Sequence, residues 1–366
     1  MATPVIADRH PVGITWAASG AINLELSPKP YTITRMVLVA RPQFTTVVAT
    51  WDSDPFDRII NTLSLNGGGE TYFDFRNMRV AYWQSKYALH HLKNYKRPST
   101  IGDNLGPFVH QFAYVFHFGT QPRDDEGNDN PFDLSGGIPP TGTGNLALQG
   151  GFNAALAMGV AVTINACPID VYLYGVRPEA GDSPADYMPK AIPHWTMETP
   201  TPTAVSSAFA TSHNIPAGNF LHSLMVMQTR GATAPRDDSV LNSFRVKYAL
   251  EGRDIFSYGG QTGAILDYKA AELLSQLEVG GWPPNDNVST AMTAQTGVSA
   301  VPSILGMADS GLIWVPLHKY LKFGRGNRDY GADLRGINTG DLKLEYGVSN
   351  TVNVAMHVAY RKYRPL

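Results

Sequence analysis

Charge is scarce in this sequence. Only 16% of the 366 residues are Asp, Glu, Lys or Arg, against about 25% in an average soluble protein. Covering charge with a neighbour is costly because hydration is lost, so a surface of small polar groups suits flanks that other subunits cover. Acidic and basic residues nearly cancel, at a formal net charge of −2. No global basic field exists, and no specific nucleic-acid recognition is expected. Cysteine is all but missing. With Cys167 alone there can be no internal disulfide framework and no cysteine zinc site, which fits synthesis in a reducing cytosol. Cys167 itself is expected to be a small buried apolar residue. The opening "MATPVIADRHPVGITW" lacks a charged segment leading into an apolar one, so no signal peptide is expected. Nor is there a long unbroken apolar run. The most apolar stretch, "AALAMGVAVTINACPIDVYLYGV", is interrupted by Asn165, Pro168 and Asp170; it reads as strands, and the chain is expected to be soluble. Nucleophile elbows, paired-histidine zinc helices and phosphate-binding loops are missing too, so an enzyme is not expected.

What is present is strand signal. "AINLELS" alternates Ile22, Leu24 and Leu26 with polar residues, the pattern of a half-buried strand. "YTITRMVLVA" follows. "IINTLSLNGGGETYFDF" reads as a hairpin turning at Asn66-Gly67, where a tight primed turn needs positive φ. "RVAYWQSKYALHHL" loses the period of two and predicts a short amphipathic helix. "VHQFAYVFHFG" and "VAVTINACPIDVYLYGVRP" return to strands. Between Pro178 and Pro202 six prolines accumulate. Proline fixes φ and donates no hydrogen bond, so a semi-rigid connector over 181–205 is expected, between a first domain at 1–180 and a second at 206–366.

The second part repeats the first in order. "TRMVLV" (Thr34–Val39) is answered by "HSLMVM" (His222–Met227). "LSLNGGGETYFDF" is answered by "VKYALEGRDIFSY", aligning Leu63 with Val246, Gly69 with Gly252 and Phe73 with Phe256. Leu89 and Leu92 match Leu274 and Leu277, "FHFG" at Phe116 matches "LKFG" at Leu321, and "DVYLYGVRP" matches "MHVAYRKYRP". Most alike are "DLSGGIPPTGTGNLALQ" from Asp133 and "DLRGINTGDLKLEY" from Asp333. Gly and Thr recur in all β proteins, so each match alone is weak; colinearity indicates an internal duplication.

Each half offers about eight strands with a helix after the fourth, which suits an antiparallel two-sheet sandwich, a jelly roll. The expected fold class is therefore all-β, two tandem eight-stranded jelly rolls. The segment "DPFDRIINTLSLNGGGETYFDFRNMRVAYWQSKY" (Asp54–Tyr87) and its counterpart from Asp238 to Leu277 resemble the double jelly-roll major capsid proteins of tailless icosahedral viruses with an internal membrane, the tectivirus, corticovirus and finnlakevirus type. The resemblance implies a coat subunit made in the host cytoplasm and residing in the virion shell. It implies a homotrimer that contacts neighbouring capsomers, penton and minor capsid proteins, and the inner membrane. Three two-sandwich chains make a ring of six, threefold in symmetry and nearly hexagonal in outline.

Candidate sites are few. "RDDEGNDNPFD" places Asp124, Asp125, Glu126 and Asp129 close together. Such density could hold Ca²⁺, which takes six to eight oxygens, but the spacing is not that of an EF-hand, and a solvated loop is the stronger expectation. No other cofactor is indicated. "AYRKYRPL" concentrates Arg361, Lys362 and Arg364; these form either a solvated strand end or a surface facing anionic lipid or genome. His90 and His91, adjacent on the expected helix, point to different faces, and His110 and His117 fall on opposite sides of a strand, so neither pair makes a metal site. The stretch Gly280–Gly311 has little regular pattern and is expected to decorate a capsomer or meet a neighbour. Two readings of other classes stay open. One is a lectin stacking glycans on loop aromatics such as Trp282; the other is a carbohydrate-active protein with paired carboxylates.

Overall fold

The structure, a computed structural model, describes residues 3–27, 29–44, 50–51, 59–89, 108–109, 112–122, 129–140, 144–154, 159–160, 164–178, 181–202, 205, 209–230, 241–258, 312–317, 330–348 and 354–366. It divides into two compact units: Met1–Met197 with Arg361–Leu366, and Glu198–Tyr360.

The principal strands of the first unit are β1 (Thr3–Arg9), β2 (Ala21–Leu26), β3 (Thr32–Ala40), β4 (Ile60–Gly67) and β5 (Glu70–Phe75). After helix α1 (Met78–Leu89) come β6 (Phe112–His117), β7 (Leu146–Phe152), β8 (Pro168–Arg177) and β9 (Ala191–Glu198). One sheet runs in the order β1-β8-β3-β6, and the other holds β2-β7-β4-β5 with β9 beyond β5. Their inner faces meet through aromatic rings. Phe73 of β5 stacks on Phe116 of β6, with centroids 4.7 Å apart and planes 2° from parallel. In β2, as the alternation predicted, Ile22, Leu24 and Leu26 are buried while Ala21, Asn23 and Glu25 are exposed.

The first hairpin turns two residues later than expected. Gly68 and Gly69 carry the positive φ angles, 60° and 81°, and Gly67 pairs with Glu70 inside the ladder. A Cβ at Gly67 would lie 2.5 Å from Leu146 Cδ2. Three consecutive glycines thus serve two purposes, close strand packing and then a two-residue primed turn.

In the second unit β10 (Thr211–Asn214), β11 (Phe220–Arg230), β12 (Leu241–Tyr248), β13 (Arg253–Tyr258), β14 (Leu312–Val315), β15 (Leu342–Val348) and β16 (Val354–Pro365) follow. One sheet runs β10-β15-β12-β13, the order of β2-β7-β4-β5; the other runs β16-β11-β14, the order of β8-β3-β6. The duplication is therefore one of topology. The second hairpin has a longer turn, Ala249–Gly252, with Gly252 at φ 63°. Phe256 still matches Phe73, but the residue facing it is Val246, as Leu65 faces Phe73; Val246 answers Leu65, not Leu63. The partner of "FHFG" at Leu321, and Leu274 and Leu277, lie outside the described residues. The second core gathers Leu224, Val226, Phe244, Val246, Leu344, Tyr346, Val358 and Tyr360.

The proline-rich stretch is more than a connector. It contains a short 3-10 turn, Pro184–Tyr187, and then β9, with Ala191, Ile192, Trp195 and Met197 buried. Pairing of β9 with β5 starts at Trp195↔Phe73, past Pro193, whose missing N–H cannot serve a ladder.

Candidate functional site

Antiparallel pairing of β3 with β6 sets His117 opposite Arg35. Arg35 Nε donates to His117 Nδ1 at 3.3 Å, while its two terminal nitrogens each donate to one oxygen of Asp129 at 2.7 Å. Nδ1 of His117 is thus an acceptor, which leaves the ring proton on Nε2. That nitrogen faces Asp133 Oδ2 at 3.4 Å, close enough for attraction but long for a hydrogen bond. Asp133 is well held in other ways. Its Oδ1 accepts from the Ser135 N–H at 2.8 Å, and its Oδ2 accepts from the Ser135 hydroxyl at 2.7 Å and the Gln121 N–H at 2.6 Å.

From the far end of the chain Arg361 enters the same cluster. Its Nη2 donates to the carbonyls of His117 (2.6 Å) and Gly119 (2.7 Å), and its Nε donates to the Tyr363 hydroxyl at 2.7 Å. The Tyr363 hydroxyl donates onward to the Gly119 carbonyl at 3.0 Å. The guanidinium lies 4.4 Å above the Trp195 ring, a cation–π placement. Trp195 in turn packs on Phe118, with centroids 5.6 Å apart.

His117, Asp133 and Arg361 are all buried, at 1%, 5% and 3% exposure. Burial pushes the His117 imidazole down to about 4, with Asp133 pulling the other way and the nearby arginines adding to the depression. For Asp133, burial acts to raise the carboxyl, but the contacts from His117 and Ser135 outweigh it and hold it below the usual range. Tyr363 is pushed up to about 12, chiefly by burial. Ser, His and Asp are the residue types of a hydrolase triad, yet the bonding order is wrong for one. The Ser135 proton goes to the carboxylate rather than to His117, so no nucleophile is activated. The cluster fastens chain segments together.

The repeated Asp-Leu-x-Gly turn explains part of it. Asp133 caps the N–H of Ser135, and Asp333 caps the N–H of Arg335 at 3.1 Å. Leu134 O accepts from the N–H of Lys190, and Leu334 O from that of Gly218. In the second unit Asp333 stays near the surface and pairs with Arg335. Only the first copy is built into a buried network.

Of the expected sites, Asp124, Asp125 and Glu126 lie outside the described residues, and Asp129 is held by Arg35. No grouping of three or more His, Cys, Asp or Glu suited to a metal occurs among the described residues. Arg361 and Lys362 are not a solvated strand end: both are buried, and the Arg361 guanidinium is committed internally. β16 carries them inside because its end packs against the Asp133 turn. Arg364 is partly exposed and pairs with Glu70 at 2.6 Å, and Glu70 also sits 3.4 Å from His194. Cys167 is buried as expected, its thiol pushed up to about 12 by burial. His90, His91, His110, Trp282 and the 280–311 stretch lie outside the described residues. No described helix is long and apolar enough to cross a membrane.

No family model and no curated protein matches the sequence. Solved structures do. The STIV MCP aligns over 98% of this chain and 95% of its own, at 13% identity and a TM-score of 0.65. The same subunit fold in the atomic structure of Sulfolobus Turreted Icosahedral Virus aligns over 98% and 90%, at 14% identity and a TM-score of 0.66. The PBCV-1 virus capsid aligns over 99% and 94%, at 10% identity and a TM-score of 0.56. These are double jelly-roll major capsid proteins of icosahedral viruses. The chain is a double jelly roll. In the first jelly roll the sheets carry the strand orders β1-β8-β3-β6 and β2-β7-β4-β5, with α1 between β5 and β6 in the chain. The second unit repeats that strand order in β10-β15-β12-β13 and β16-β11-β14.

Proposed function

We propose that this double jelly roll is the major coat subunit of an icosahedral virion, acting as a homotrimer whose six sandwiches form a pseudo-hexagonal capsomer. The observation that carries the reading is likeness along nearly the whole chain, 98% of it, to a double jelly-roll capsid protein of similar length. The low charge content supports it, since flanks poor in charge are the cheaper ones to cover. The partners are two further copies in the trimer, adjacent capsomers, penton and minor capsid proteins, and the lipid membrane beneath the shell. Of Arg361, Lys362 and Arg364, only Arg364 is partly exposed, and its guanidinium pairs with Glu70. Light scattering after size-exclusion chromatography tests the trimer. A species of three times the 39.8 kDa chain mass supports it, and a monomer that binds sugar contradicts it.

A further inference from the structure

The first unit is discontinuous: residues 361–366 belong to it, although the whole second unit lies between them and residue 197. We propose that 361–366 form a latch that closes the first jelly roll last, after the second jelly roll has been made.

Three observations carry the latch. The carbonyls of His117 and Gly119 at the end of β6 receive their side-chain donors from Arg361 and Tyr363. The N–H of Leu366 donates to the carbonyl of Lys190 at 3.1 Å, fixing the same end against the residue before β9. Arg361 also covers the Trp195 ring, while Arg364 reaches Glu70 at the start of β5. The latch therefore touches β5, β6, β9 and the Asp133 turn at once. Sterics leave it no slack. A Cβ at Gly136 would lie 2.4 Å from the Phe118 carbonyl oxygen and 3.0 Å from Tyr363 Cε1, so turn and latch meet closely.

Until residue 361 is in place, the carbonyls of His117 and Gly119 and the face of the Trp195 ring lack the cover that Arg361 gives them. Leaving buried acceptors in that condition is unfavourable. The first jelly roll of a chain lacking 361–366 is thus open around Trp195. In a coat subunit this keeps unfinished chains out of the shell. That consequence rests on the coat reading; the latch itself does not, and its test is made on the free chain.

The test is hydrogen exchange on the intact chain, read by mass spectrometry, with Arg361→Met as the perturbation. The latch predicts at least a tenfold rise in exchange at 117–119, 133–138 and 190–195, with β12 and β15 unchanged. Equal acceleration everywhere, or none at 117–119, overturns it. Pulse labelling during refolding of the unaltered chain needs no variant to fold. Protection at 117–119 should appear no earlier than protection at 361–365, and protection that comes first contradicts the latch.

Discussion

Arg361 is a buried cation whose side chain engages two carbonyls, a tyrosine hydroxyl and a tryptophan face. Removing one member of such a buried charged network typically costs about 3–5 kcal/mol. Arg361→Met should lose that much in denaturant unfolding of the first jelly roll. Arg361→Lys should recover only part of it, because a single ammonium cannot span both carbonyls and the hydroxyl. His117 gives a pH signature at the same scale. Its folded-state value is depressed to about 4 by burial, against about 6.5 in an unfolded chain. The unfolded state therefore binds the proton first as pH falls, and stability is lost from about pH 6.5 down to about pH 4. The loss is on the order of 3 kcal/mol, and it levels off below that. Asp133 works in the other window: its folded value is lowered, so its contribution is intact above its unfolded value of about 4 and fades at more acidic pH. In His117→Gln, stability measured from pH 7 to pH 4 should fall much less than in the parent. An unchanged slope would assign the acid sensitivity elsewhere.

Among elements, the repeated Asp-Leu-x-Gly turn is the most informative, because its two copies have different surroundings. A Cβ at Gly136 meets the Phe118 carbonyl oxygen at 2.4 Å, whereas a Cβ at Gly336 meets nothing within 4 Å. Gly136→Ala should destabilise by about 1–3 kcal/mol, the usual cost of overpacking, and Gly336→Ala should leave thermal unfolding nearly unchanged. Equal effects would mean that the two turns are packed alike. The recurrence of this turn was legible in the sequence because an Asp side chain capping an N–H two residues on is a local device. So were the β2 alternation and the first hairpin, whose residues act within a few positions of one another. What lay beyond reach were contacts set by register. Nothing near Arg361 tells that its guanidinium ends on the carbonyls of His117 and Gly119, and "YRKYR" reads as an exposed basic end. β9 was masked by prolines, though Trp195 and Met197 carry an alternation compatible with a strand. From the sequence Asp133 reads only as the start of a repeated turn, and nothing local to it points to His117, whose own place opposite Arg35 is set by the β3–β6 register.

At the scale of the whole molecule, two copies of one strand order in a single chain would give the proposed trimer a sixfold outline, which tiles a surface. Electron microscopy of the purified protein is the most direct measurement. Class averages showing a threefold particle with six lobes and a near-hexagonal rim are the predicted result. Isolated two-lobed particles that persist at all protein concentrations would contradict the account.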